Sequence, residues 1–178
     1  MSILIAEYDP GWPGWAAGVA EELFAALPGV FTRIEHVGST SVPGLAAKPV
    51  IDLMAGVTSL DEAGVALGER LPALSFQVFD TGMPGRLFYF RERDGVRVCH
   101  LHVVPESTFA TRNEVLLRDL LRRTPEDVAR YGALKRELAV VHDGDSLGYT
   151  RGKTALIQEL VDRARAEAGL ERVDVWEE

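Results

Sequence analysis

Cysteine is nearly absent: Cys99 is the one thiol in 178 residues. A single cysteine excludes an internal disulfide and fits a reducing, cytoplasmic setting. Long apolar runs are missing as well, since none approaches the ~18 residues a bilayer span needs. The start, Met1-Ser2-Ile3-Leu4-Ile5-Ala6, has no basic stretch and meets Glu7 at once, unlike a signal peptide. Basic residues are scarce, with 19 Lys and Arg against 27 Asp and Glu, a net charge of −8. Phosphate contacts on a long polyanion need clustered Lys and Arg, so this balance disfavours a general nucleic-acid binder. It leaves room for a small basic pocket that takes a nucleotide or phosphate ester. No repeat, low-complexity tract or linker interrupts the chain, and its length suits a single domain over 1–178.

What is present is an α+β order. Gly11 to Leu27 carries Trp12, Trp15, Val19, Leu23, Phe24 and Leu27 at near-helical spacing, and Pro28-Gly29 ends it. Val30 to Val37 and Val50 to Val57 read as strands, the second as a buried apolar one. Ser59-Leu60-Asp61-Glu62 opens a helix to about Leu71 with a capping box. Ser75 to Asp80, Arg86 to Arg93 and Val96 to Val104 follow as strands, the last two joined by the hairpin dipeptide Asp94-Gly95. Helices are expected over about Thr111 to Arg123, Pro125 to Val141 (with Thr124 as N-cap) and Thr150 to Ala168. His142 to Gly148 reads as an exposed loop, and the charged tail Glu171 to Glu178 as a segment that frays.

The chemistry concentrates between His36 and Leu53. Gly38-Ser39-Thr40 follows a strand, where backbone N–H groups and hydroxyls can seat an anion. The same residues also suit a plain tight turn, and they lack the Gly-Lys-Ser/Thr ending of a Walker loop. Lys48 stands before Pro49, extended at the entrance to the next strand. Asp52 lies inside the apolar run, where a carboxylate must be paired, hydrogen-bonded or metal-bound. Residues 50, 52 and 54 share a face, and position 54 is Met, so the Asp-x-Asp pair that clamps a metal is incomplete. His100 and His102 share one face of a later strand and can bind metal, contact phosphate or move protons. Glu35 is a candidate second carboxylate. Arg118 and Arg122, one helical turn apart, and Lys153 are candidate anion contacts, against the plainer reading of solvated helix faces.

The run from His36 to Leu53 resembles the signature of the GrpB family. His100-Leu101-His102-Val103, Leu117-Arg118-Asp119-Leu120-Leu121-Arg122, Tyr131 with Leu134-Lys135, and Tyr149 with Lys153 extend the likeness over roughly Tyr8 to Ala164. The resemblance implies a nucleotidyltransferase-like mixed β-sheet flanked by helices, with a helical C-terminal third. It also implies kinship with a domain fused to some bacterial dephospho-coenzyme A kinases, though not that kinase's activity. Carried over, Gly38 and Ser39 would seat nucleotide phosphates, with Thr40 and Lys48 beside them. Asp52 would be the surviving carboxylate for Mg²⁺, and His102 would stand near the place of a third. The function implied is binding of a nucleotide or phosphate-bearing small molecule, with nucleotidyl transfer if the chemistry is retained. The alternatives are a non-catalytic binding module and a metal-dependent enzyme built on His100 and His102.

Overall fold

A computed structural model describes residues 3–175; Met1, Ser2 and the last three residues of the tail lie outside the described residues. Five strands form one sheet: β1 (Phe31–Val37), β2 (Ile51–Val57), β3 (Phe76–Val78), β4 (Leu87–Arg93) and β5 (Val96–Pro105). Their spatial order is β1-β2-β5-β4-β3. The β2–β5 pair is parallel and the other neighbours are antiparallel, so the sheet is mixed. Asp94 and Gly95 both take positive φ, 52° and 74°, as a two-residue hairpin turn requires.

Alternation along the strands divides the molecule into layers. Ile51, Leu53, Ala55, Cys99, Leu101 and Val103 turn to one face, where α1 (Trp12–Ala26) and α2 (Leu60–Arg70) supply Trp12, Leu23, Ala63 and Leu67. This is the main core, and burying such side chains contributes about 1.5–3 kcal/mol each. The opposite face carries Val37, Met54 and Val104 against Phe109 and Val115. Phe109 belongs to α3 (Glu106–Phe109), a short separate helix at the point where the chain turns helical. The helical third consists of α4 (Asn113–Arg123), α5 (Pro125–Val141), α6 (Ser146–Gly152) and α7 (Thr154–Glu167). Its own cluster joins Leu120, Leu121, Tyr131, Leu156 and Leu160 to Val42 and Leu45 of the loop between β1 and β2.

Three local expectations differ from the structure. The final helix is split at Lys153, and α6 begins at Ser146, inside the expected loop, with the Asp145 carboxylate accepting from Gly148 N–H. Thr124 occupies the N-cap position of α5 as expected but makes no side-chain cap bond; its hydroxyl donates to the Leu120 carbonyl of the preceding helix at 2.8 Å, while the Ser59 side chain does cap α2. The described part of the tail is tied to α7. Gln158 of α7 donates to the Val173 carbonyl at 2.9 Å and accepts from the Val175 N–H at 3.0 Å. Gln158→Leu removes both bonds. Hydrogen exchange at the Val175 amide is expected to speed up about tenfold, with the melting temperature nearly unchanged, because the loss is local.

Candidate functional site

The site begins at the join between β1 and β2. Val37 pairs with Asp52 across the antiparallel ladder, and the chain turns at Gly38 with φ 70°. A Cβ at Gly38 would lie 2.3 Å from Asp52 Oδ2, so glycine lets the backbone sit directly against the carboxylate. Ser39–Ser41 then forms one 3₁₀ turn, held by the Ser41 hydroxyl donating to the Gly38 carbonyl at 2.6 Å. Thr40 is buried and donates to the Val50 carbonyl at 3.2 Å, while His36 Nε2 lies 2.8 Å from the same hydroxyl. With the hydroxyl proton committed to Val50, the His36 N–H is the donor. Burial pushes the His36 pKa down to about 4, with Arg122 and Arg118 adding to the shift and Asp52 opposing it. Thr40 therefore builds the turn instead of facing a ligand.

The parallel register of β2 and β5 sets Asp52 beside His100. His100 Nδ1 donates to Asp52 Oδ1 at 2.9 Å, a tautomer assigned from the carboxylate acceptor. Burial alone would push the Asp52 carboxyl up. The hydrogen bond and charge of His100, with His102 and His36, outweigh it and hold the pKa below its ordinary value. Asp52 and His100 open onto a cavity of about 260 Å³, also lined by Ser39, Lys48, Lys135, Tyr149 and Lys153.

Three lysines thus converge on one carboxylate. Lys48 lies at an exposed position next to a short bridge between Ala6 and Ala47. Lys153 occupies the junction between α6 and α7, its ammonium 4.3 Å from the Tyr149 ring centre. Lys135 of α5 is 2% exposed, and its Nζ has no hydrogen-bond partner, only the face of Tyr131 at 4.4 Å. Burial pushes the Lys135 pKa down to about 7, helped by the nearby charges of Lys153 and Arg136 and opposed by Asp52. Burial also lowers Lys153 to about 8, with Asp52 opposing and Lys48 adding. A desolvated ammonium without an acceptor is costly, and an anion in the cavity would relieve that cost.

Lys135 is a residue the sequence offers only within the family likeness, beside Tyr131 and Leu134, and not as a site candidate. Its signal was available: Tyr131 stands one turn before it, and Leu134 and Leu138 flank it on a helix that packs inward. Other candidates lie elsewhere. Glu35 accepts from Arg118 at 2.7 Å and lies 3.5 Å from Arg33, so its charge is already neutralised. Arg118, 8% exposed, is occupied by Glu35, Asp119 and the His36 carbonyl. Arg122 donates to the Ser41 carbonyl and braces the turn. His102 shares a face with His100 but lines a different cavity, beside Arg86.

Among the described residues, no group of three or more His, Cys, Asp or Glu side chains gathers to hold a metal ion. Met54 is fully buried and offers no oxygen, Glu35 is in ion pairs, and Asp52 already accepts from His100. This donor set does not fit a resident Mg²⁺, which requires near-octahedral oxygen ligands. Among the described residues, no helix is long and apolar enough to cross a membrane.

Comparison with known proteins agrees with this architecture. Residues 2–163 match the family described as "GrpB protein". A UPF0157 protein of Halalkalibacterium halodurans is 33% identical over 167 residues, covering 93% of this chain and 84% of that one. A dephospho-CoA kinase of Mycolicibacterium paratuberculosis is 28% identical over 88% of this chain but only 44% of its own length. The crystal structure of GrpB from Enterococcus faecalis superposes with a TM-score of 0.84 and 29% identity, covering 93% of this chain and 99% of that one. The GLD-2/RNP-8 complex gives 0.59 at 14% identity, over 96% and 70% of the two chains. Cid1 in complex with its short product ApU gives 0.50 at 14% identity, over 74% and 42%. The fold is nucleotidyltransferase-like.

Two outcomes follow from the geometry. Gly38→Ala forces a methyl against the Asp52 carboxylate at a positive φ, and should cost about 1–3 kcal/mol in urea denaturation. Lys135→Met should be more stable than the parent at pH 7. The parent's folded state binds fewer protons than its unfolded state between about 7 and the ordinary 10.5, so its stability rises with pH across that window. The advantage of Lys135→Met therefore narrows, by up to about 1.4 kcal/mol per pH unit, in denaturation series run from pH 7 to 9.

Proposed function

The chain belongs to the GrpB family, and we propose that its lysine-lined cavity binds a nucleotide or a closely related phosphate-bearing small molecule. The observation that carries this reading is the buried, unpartnered ammonium of Lys135, which shares the cavity with Lys153, Lys48 and Ser39. Phosphate oxygens would accept from the two inner lysines and from Ser39, and the Lys48 side chain would reach them at the mouth. Charge-assisted bonds of this kind are the strong ones, and they are stronger where water is excluded. The nucleotidyltransferase-like fold supports the nucleotide as ligand class. Mg²⁺ arriving with a nucleotide would find one protein carboxylate, Asp52, so the lysines would carry most of the charge neutralisation.

Nucleotidyl transfer is the finer reading. In it, an acceptor hydroxyl attacks the α-phosphorus of a nucleoside triphosphate and gives its proton to Asp52, the bond to the bridging oxygen breaks, and pyrophosphate leaves toward Lys135 and Lys153. The Asp52–His100 pair would hold the carboxylate ionised next to the reacting phosphate. Met54 in place of a second carboxylate favours binding without turnover as the competing reading. A histidine-based metal enzyme has no such support, because His100 bonds Asp52 while His102 faces Arg86.

Calorimetry with ATP and with inorganic pyrophosphate, each with and without Mg²⁺, tests the reading. Saturable binding is expected, with a raised melting temperature. Lys135→Met and Lys153→Ala should each weaken it tenfold or more, the loss of one charge-assisted hydrogen bond. Affinity should fall as pH rises from 7 to 9, because Lys135 and Lys153, near 7 and 8, lose their protons. If neither ligand binds nor stabilises the protein, the reading is wrong. Asp52→Asn separates its two forms: transfer activity that disappears in the variant identifies an enzyme, whereas retained binding with no turnover in the parent identifies a binding module.

A further inference from the structure

A second cavity, of about 320 Å³, lies between the outer part of the sheet and the helical third. It is larger than the lysine-lined one and of opposite character. Phe88, Leu117, Ile157 and Val161 make its walls, and Val175 of the tail, tied down through Gln158, adds to them. Its polar end is an ion pair. Arg86 Nη1 donates to Glu114 Oε1 at 2.8 Å and lies 3.3 Å from His102 Nδ1, which it leaves as an acceptor. The Arg86 side chain is 5% exposed.

This pairing uses one edge of each partner. Arg86 Nε, a donor, and Glu114 Oε2, an acceptor, are both buried with no hydrogen-bond partner. Orphaned polar atoms of this kind are uncommon in folded proteins and call for a ligand, an ion or water. Charge narrows the choice. Burial would raise the Glu114 carboxyl, but Arg86 and His102 hold it below its ordinary value and therefore anionic. Burial keeps the His102 pKa low and the ring neutral, although Glu114 and Asp52 oppose the shift. The polar end then sums to zero charge, so an ionic ligand would bury an uncompensated charge against it. A mostly apolar wall, with Thr81 and Asn113 also in the lining, and a polar end without net charge suit a neutral molecule with an apolar body.

We propose that this second cavity binds an uncharged, largely apolar small molecule whose polar end carries both an acceptor and a donor, as a carboxamide does. The acceptor would take the Arg86 Nε–H, and the donor would serve Glu114 Oε2. The site is independent of the phosphate reading, since none of the three lysines lines it.

The test uses benzamide, benzoate and benzene as probes in protein-observed NMR titrations of the full chain. Benzamide should bind saturably, with shifts centred on Leu117, Ile157 and Val161. Benzoate, which adds a charge, and benzene, which leaves both polar atoms orphaned, should each bind about tenfold or more weakly. Leu117→Phe and Ile157→Phe, at half-buried positions, each fill the cavity and should remove benzamide binding; should one fail to fold, the other carries this arm. Lys153→Ala should leave benzamide binding unchanged. A cavity holding water alone gives no saturable shift, and that result overturns the proposal. So does benzamide binding that survives a folded filling variant, or benzoate binding as tightly as benzamide.

Discussion

The hydrogen bond between Asp52 and His100 is the constraint around which the rest of the site is arranged. A carboxylate in the middle of an apolar strand must be compensated, and here the compensation comes from the adjacent parallel strand. The ladder register decides it, because a slip of one residue in β2 would turn Asp52 toward the main core and leave His100 without it on the opposite face. Gly38 completes the arrangement from the other side, where any side chain would collide with the carboxylate. Sheet topology, one glycine and one imidazole therefore fix a negative charge at a defined place, and the lysines are positioned with respect to it.

The lysines invert the character of the surface they sit under. The chain as a whole is acidic, yet the cavity gathers three ammonium groups around one carboxylate. Two of the three come from the helical third, one from within α5 and one from the break between α6 and α7. The break matters because it places a cation where the chain changes direction, so its side chain can reach inward. Tyr131 and Tyr149 present ring faces to these ammonium groups and supply partial compensation without supplying an oxygen. The chain's net negative charge would slow the approach of an anion, while the lysines would hold one that had entered.

Much of this was legible in the sequence, for identifiable reasons. The strands announced themselves by alternation and β-branched residues, the hairpin by Asp94-Gly95, and α2 by its capping box. Ser39, Lys48, Asp52, His100 and Lys153 were singled out as residues, and all five line the same cavity. What stayed hidden depended on partners distant in the chain. Glu35 looked like a metal ligand until Arg118, 83 positions away, came against it. Lys135 does not stand out as a site residue in the sequence, because only tertiary packing removes water from it. His100 and His102 read as a pair since strand period puts them on one face. Their neighbours on other strands and helices then direct them to different cavities.

Phe88 stands between those two histidines, its ring centre 5.2 Å from His100 and 4.9 Å from His102. It lines the second cavity and, on its other side, packs against His100, which lines the first. A displacement of the ring by an occupant on one side changes the free energy of occupancy on the other, and thermodynamic linkage makes that influence equal in both directions. If both cavities take ligands, this one aromatic side chain would be the shortest path by which the two could sense each other.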